Sequence, residues 1–322
     1  MFSDLPIEII NKEIFPHLDG SAKIVLSNVL WNTQIPKFIT RRIESEICQY
    51  GVAYIRFFES RLTYRTVTEL LSSHCNFEGL KWSRKRLYPW YSTVCSNISS
   101  KGNIELLKWV HENGCQWSKN TCESAAKNGH LELVKWARNN GCPWGKDICS
   151  YASEGGHLEI LKWLRENGCP WGSWTCSNAA SGGHLEIIKW ARENGCPWGS
   201  WACRNAASSG HLEILKWLRE QGCPWDINTC HGVAMTGNLE ILKWVRENGC
   251  PWDKYTCNGA ANNGHLNILI WARENGCPWD EDTFINAIRG KSVLVINWLR
   301  ENGCPEPIEV KEEYDDEDDD DY

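Results

Sequence analysis

From Trp90 almost to the end of the chain, one 27-residue unit recurs in register and without insertion. Cysteines 115, 142, 169, 196, 223, 250, 277 and 304 share one phase of it, and tryptophans 109, 136, 163, 190, 217, 244, 271 and 298 share another. A period in this range marks a stack of small supersecondary units, each unable to bury its apolar face alone, that share a core with their neighbours. The 322 residues therefore count as repeats rather than as two or three globular domains. Such stacks usually hold other macromolecules.

The copy from Trp174 to Trp198 reads as two short helices. Cys176, Ala179 and Ala180 fall at i, i+3 and i+4, a small apolar face that lets a neighbour approach closely. Gly182 and Gly183 end this helix. A second begins near His184, with Leu185, Ile187, Ile188, Trp190 and Ala191 inward and Glu186, Lys189 and Glu193 paired on the solvated side. Asn194-Gly195 stops it, and Pro197 follows.

The segment AAxxGHLEIxKW(L/A)RENG, at Ala179 to Gly195 and, with Gln221 for Asn, at Ala206 to Gly222, resembles the ankyrin-repeat pattern. There a Gly-His turn joins two antiparallel helices. The likeness spans roughly residues 63–305, with two departures. Ankyrin repeats run 33 residues, six more than this unit, and the missing ones are those of the projecting β-hairpin. Where the family's TPLH would fall stand Trp174, Thr175, Cys176 and Ser177. The resemblance implies an all-α, ankyrin-like helical solenoid of about nine two-helix repeats with shortened fingers, monomeric and binding a target protein. Residues 63–89 form a degenerate leading copy, and Phe284 and Lys291 mark an atypical last one.

Three features inside the repeat invite other readings. Two cysteines and a histidine per copy, such as Cys169, Cys176 and His184, lack the short pair spacings of structural zinc, so no metal or other cofactor is expected. Histidine 184 becomes Asn103 and Asn238 in sister copies, which suits a hydrogen bonder at the start of a helix. The tryptophans in phase with Trp190 are expected in the core, and those of the Cys-Pro-Trp element, Trp117 to Trp279, at the seams between units. Copies differ most just after that element. Asn120, Asp147, Asn228 and Asp282 are read there as helix caps, and Trp174, Trp201 and Tyr255 forgo the cap. Either these aromatics pack on neighbouring loops, or Trp174 and Trp201 form one patch that anchors a partner. With Lys119, Lys146 and Lys254 they are the candidate target-binding residues.

Residues 4–31 obey none of the repeat's phase. Leu5-Pro6, Glu8-Ile9, Ile14-Phe15, Leu18, Leu26, Val29 and Trp31 are similar in type and spacing to the F-box, a small helical motif that docks on a Skp1-like protein in a cullin ubiquitin ligase. That resemblance makes Leu5, Pro6, Ile9, Ile14, Phe15 and Leu18 the candidate Skp1-binding residues. The alternative is that these helices only cap the array. The expected organisation is an F-box-like module over 1–45, a connecting helix or cap over 46–62, the array over 63–305 and a disordered acidic tail over 306–322. An adaptor end joined to a repeat array also resembles proteins that large DNA viruses of amoebae encode in many copies.

The net charge is −7, but residues 306–322 hold eleven acidic side chains and one lysine, a net −10, so the rest carries +3. A phosphate-repelling tail argues against nucleic acid as main partner, although Lys81, Arg84, Lys85 and Arg86 cluster near Trp82 and Trp90. No signal-peptide pattern opens the chain, and no apolar run reaches the roughly 18 residues a membrane helix needs. Seventeen cysteines, an odd number in a long chain, read as reduced thiols in a cytoplasmic or nuclear compartment, that of the host cell if the protein is viral. No motif of a known catalytic class appears. The function expected is recognition of a target protein for a Skp1-cullin-F-box ligase, the rival being a scaffold or decoy outside ubiquitin chemistry.

Overall fold

A computed structural model of the chain describes residues 64–172 and 174–307. The F-box-like module, the connecting segment before residue 64 and the acidic tail from residue 308 lie outside the described residues. Eighteen α-helices, and no strand among the described residues, follow one another two to a repeat. The leading copy holds α1 (Tyr64–Ser73) and α2 (Phe77–Lys85), and the next two hold α3 (Ser92–Ser100), α4 (Ile104–Glu112), α5 (Lys119–Lys127) and α6 (Leu131–Asn139). Then come α7 (Ile148–Glu154), α8 (Leu158–Glu166), α9 (Thr175–Ser181), α10 (Leu185–Glu193), α11 (Ser200–Ser208) and α12 (Leu212–Glu220). The last three copies are α13 (Ile227–Thr236), α14 (Leu239–Glu247), α15 (Lys254–Asn262), α16 (Leu266–Glu274), α17 (Glu281–Arg289) and α18 (Val293–Glu301). The fold is the expected all-α, ankyrin-like one, with nine helix pairs in the described residues. Two compact units divide them: residues 64–122 with 136–143, and residues 123–135 with 144–307.

In the second unit the first helices α7, α9, α11, α13, α15 and α17 pack side by side in order, and each also packs on the second helix of its own copy. Small side chains permit this. Helix α9 buries Thr175, Cys176, Ser177, Ala179 and Ala180, and α10 buries Ile187, Ile188 and Ala191. The end of α10 is closed by the Cys196 amide donating to the Ala191 carbonyl at 2.9 Å, with Gly195 at φ +79° and the Asn194 Nδ2 donating to the Trp190 carbonyl at 2.8 Å. That left-handed closure satisfies carbonyls the helix leaves free.

Both glycines before the histidine have steric work. Gly183 takes φ +81°, and a Cβ there would also lie 2.9 Å from the His211 ring of the next copy. Gly155 has an ordinary helical φ of −77°, but its Cβ would come within 2.0 Å of the Lys127 carbonyl oxygen. The histidine binds the preceding copy instead of capping its own helix: Nε2 of His157, His184 and His211 lies 3.1 Å from the carbonyls of Lys127, Glu154 and Ser181. A carbonyl only accepts, so Nε2 carries the proton. Where asparagine replaces it, as at Asn238, the side chain accepts from the Ile241 amide at 3.0 Å and caps the helix locally.

Burial, ahead of the neighbouring imidazoles of His184 and His130, pulls the His157 pKa below its ordinary value. A histidine depressed in the folded state gives stability that is present above the unfolded pKa of about 6.5 and is lost as pH falls towards the folded one. His157→Asn should therefore hold stability at pH 7.5 to within about 1 kcal/mol, since asparagine can cap, and should reduce the drop in urea midpoint between pH 7.5 and 5.5. An undiminished drop would remove His157 from this role.

Two expectations need correction. Trp190 and its phase-mates are half-buried rather than inward. The compact interior takes Ile187, Ile188 and Ala191, while the indole lies on the flank of α10, edge-on to Trp171 of the preceding copy with ring centroids 5.9 Å apart. The same contact joins Trp198 to Trp217 at 6.1 Å and Trp252 to Trp271 at 5.8 Å. Arginine completes the seam. Arg192 sits 4.1 Å from the Trp198 ring centre and donates to the Cys196 carbonyl at 2.6 Å.

The second correction concerns the caps. Asp226, Asp253 and Asp280 hold the extended backbone of an N-cap and accept from the amides of Asn228 (2.9 Å), Tyr255 (3.1 Å) and Asp282 (3.2 Å). The cap thus lies two residues before the position expected, so Trp201 and Tyr255 sit inside the first turn and displace no cap. Trp174 does stand at the cap position of α9, and Asp147 at that of α7, both without a side-chain cap bond.

Candidate protein-binding face

Because first helices lie side by side, residues 27 apart on their outer positions line up across the copies. Trp174 and Trp201 occupy one such row, 45% and 44% exposed, with ring centroids 5.6 Å apart at 82°. This edge-to-face pair is the patch the sequence suggested. Large aromatic area left partly in water costs about 25 cal/mol per Å² relative to burial, so the pair is exposed apolar surface that further burial would stabilise.

Next along α11, Arg204 lays its guanidinium 4.4 Å from the Trp201 ring centre, and its Nε is buried without a hydrogen-bond partner among the described residues. It can lie flat because α13 carries Gly232, where a Cβ would meet the Arg204 Cγ at 3.2 Å. Gly259 in α15 does the same for its neighbours: a Cβ there would lie 2.9 Å from the His231 ring and 3.0 Å from Met235 Cγ. A glycine inside a helix costs about 1 kcal/mol, a cost accepted twice here to let long side chains recline across the groove between helices. The result is a depression of about 480 Å³ lined by His231, Met235, Tyr255, Asn258 and Asn262 among others. Tyr255 stands at its rim, 51% exposed and 6.3 Å from the His231 ring. Burial first, and then the charge of Arg204, pull the His231 pKa below its usual value against the opposing pull of Asp253. The face therefore offers neutral imidazole, amide groups, an aromatic pair and one cation, a mixture suited to a polypeptide.

The lysines fare differently. Lys254 is held by the next copy, its Nζ 2.6 Å from Asp280 and 3.0 Å from Asp282, and these hydrogen bonds raise its pKa. It stabilises the stack and is not a free contact. Lys146 is exposed ahead of α7, and Lys119 is exposed at the start of α5, in the other unit. In the basic cluster of the leading copies, Arg84 lies 5.1 Å from the Trp90 ring centre, Arg86 lies 5.0 Å from that of Trp82, and Lys81 pairs with Glu78 at 2.9 Å. Those cations are spent on local contacts.

Arg204, His231, Met235, Asn258 and Asn262 belong to the face and were not among the residues the sequence singled out. Their signal was present. Down the copies one row reads Glu123, Ser150, Ser177, Arg204, His231, Asn258, and another reads Lys127, Glu154, Ser181, Ser208, Met235, Asn262, while the second helices repeat LEILKW almost unchanged. The first row is largely buried between the helices, Glu123, Ser177 and Asn258 being 6% exposed and Ser150 1%, whereas the second is half-buried to exposed and marks where the surface varies on an otherwise constant scaffold.

Among the described residues no group of three His, Cys, Asp or Glu side chains is placed to hold a metal ion, and no helix is long and apolar enough to cross a membrane. Residues 176–219, from α9 to the end of α12, match the family described as Ankyrin repeats (many copies). No curated protein matches the chain. With the helical repeats, that match indicates a protein–protein interaction function, the array binding a protein partner.

Proposed function

We propose that the chain is a substrate receptor of a Skp1-cullin-F-box ubiquitin ligase, in which residues 4–45 dock on a Skp1-like protein and the first-helix face holds the target. The exposed Trp174–Trp201 pair beside Arg204 carries the target-binding half of this reading, because paired aromatics and arginine dominate the energetics of protein interfaces. The adaptor half is supported by the spacing of Leu5-Pro6, Ile9, Ile14-Phe15 and Leu18 and by their place ahead of a binding array. The fifteen buried free thiols among the described residues agree with a reducing cytoplasmic or nuclear setting.

The test mixes full-length protein with a purified Skp1-like protein and follows the complex by gel filtration. The wild-type chain should form a stoichiometric complex, and the double change Leu5→Ala with Pro6→Ala should weaken it at least about tenfold, a loss of one buried anchor. Binding by neither chain would leave the array as a scaffold or decoy with a capping N-terminus. Equal binding by both would place Skp1 contact elsewhere.

A further inference from the structure

Cysteines supply the largest group of chemically reactive side chains that the protein-binding reading does not use. In the regular copies, the first-helix cysteine faces the cysteine that closes the same helix pair 20 residues later: Cys95 with Cys115 at 3.2 Å between sulfurs, Cys149 with Cys169 at 3.6 Å, Cys176 with Cys196 at 3.5 Å. Cys122 with Cys142, Cys203 with Cys223, Cys230 with Cys250 and Cys257 with Cys277 are likewise placed so that each thiol shifts the ionisation of the other, making seven pairs among the described residues. Small apolar residues would fill these core positions equally well, as Ala179 and Ala180 do beside them. The repeat instead keeps two thiols in contact, copy after copy. In the last copy Phe284 stands at the first-helix position, and Cys304 has no thiol opposite among the described residues.

A sulfur separation near 3.5 Å is about 1.5 Å longer than a disulfide, a gap that side-chain rotation with a small backbone adjustment can close. We propose that each pair is an intramolecular disulfide site, oxidised by a hydroperoxide, which staples the two ends of one helix pair. In the copy of Cys176, the Cys196 thiolate attacks the peroxide O–O bond, takes one oxygen as sulfenic acid and releases hydroxide. The Cys176 thiol then attacks that sulfur, its proton leaves with the departing oxygen as water, and the S–S bond forms. The hydroxide takes up the proton that Cys196 gave up on ionising, so in sum two thiols have lost two electrons and hydrogen peroxide has become two waters.

The electrostatics assign the order. The Cys176 S–H hydrogen bond, together with Thr175 and the Arg192 charge and against the effect of burial, holds the Cys196 thiol below its ordinary range, whereas the same bond and burial push Cys176 up. Cys196 is thus the attacking sulfur and Cys176 the resolving one. Access comes through opening of single units, since repeat stacks hold each unit by its nearest neighbours only.

The experiment exposes the folded full-length protein to hydrogen peroxide, blocks remaining thiols with an alkylating agent and maps peptides by mass spectrometry. The expected products are cross-links between cysteines 20 apart, each lacking two hydrogens and each reversed by dithiothreitol, with unpaired Cys304 carried on to sulfinic or sulfonic acid. Cys176→Ser should remove only the cross-link to Cys196, leaving the other pairs as an internal sign that the array is folded. Phe284→Cys should convert Cys304 from the irreversible products to a reducible cross-link. The proposal is overturned if the paired cysteines survive oxidation as free thiols, if they over-oxidise as Cys304 does, or if the cross-links join positions other than the pairs.

Discussion

Ile188→Ala is expected to lower the unfolding free energy by about 3 kcal/mol, and Trp190→Ala, although it removes a much larger side chain, by only about 2 kcal/mol. The difference follows from where each side chain lies. Ile188 is fully buried beneath α10, so its loss takes away transfer energy and leaves a cavity that the packed helices cannot close. Trp190 is only partly covered, and its deletion costs one edge-to-face contact with Trp171 and part of its apolar area, with solvent free to fill the gap. Urea unfolding of the two variants beside the wild type decides the order. A larger loss for Trp190→Ala would mean that the tryptophan seam, and not the aliphatic stripe, holds the copies together.

The repeat period made the scaffold legible: two helices per copy, the glycine stops, the buried cysteines and the aliphatic stripe of the second helix all follow from side chains recurring at helical spacing. Most of what escaped depends on neighbours 19 to 30 residues away. A helical wheel places Trp190 beside Ile187 and Ala191, within a broad apolar arc, and only the ring of Trp171 in the preceding copy decides that it belongs to the flank. His184 was legible as a hydrogen bonder at the start of a helix, but its acceptor is the Glu154 carbonyl, 30 positions earlier. The caps were misplaced by two residues because the chain after Cys-Pro-Trp turns at once into the helix, with Asp253 extended at φ −148° and Tyr255 already in the first turn. Of the candidate face, Trp174 and Trp201 were legible as bulky residues at a variable position. Arg204 and His231 were not, because their part in it rests on Gly232 and Gly259 in the helices beside them.

Replacing Trp174 and Trp201 together with asparagine is expected to abolish partner capture, by about a hundredfold or more in affinity if each indole contributes at the level of an ordinary interface anchor. Thermal stability should change little, because both rings are nearly half exposed and neither belongs to the aliphatic interior. A control with the same number of changes on the second-helix side, Glu213→Gln with Glu240→Gln, alters exposed residues and should leave binding intact. The most direct test of the first-helix face is to immobilise wild type, double variant and control at equal density, expose them to lysate of the cell in which the protein acts, and quantify retained proteins by mass spectrometry alongside each variant's melting temperature. A set of proteins held by wild type and control but lost from the Trp174→Asn, Trp201→Asn chain, at an unchanged melting temperature, is the predicted result; the same set on all three, or a double variant that melts far below the wild type, contradicts it.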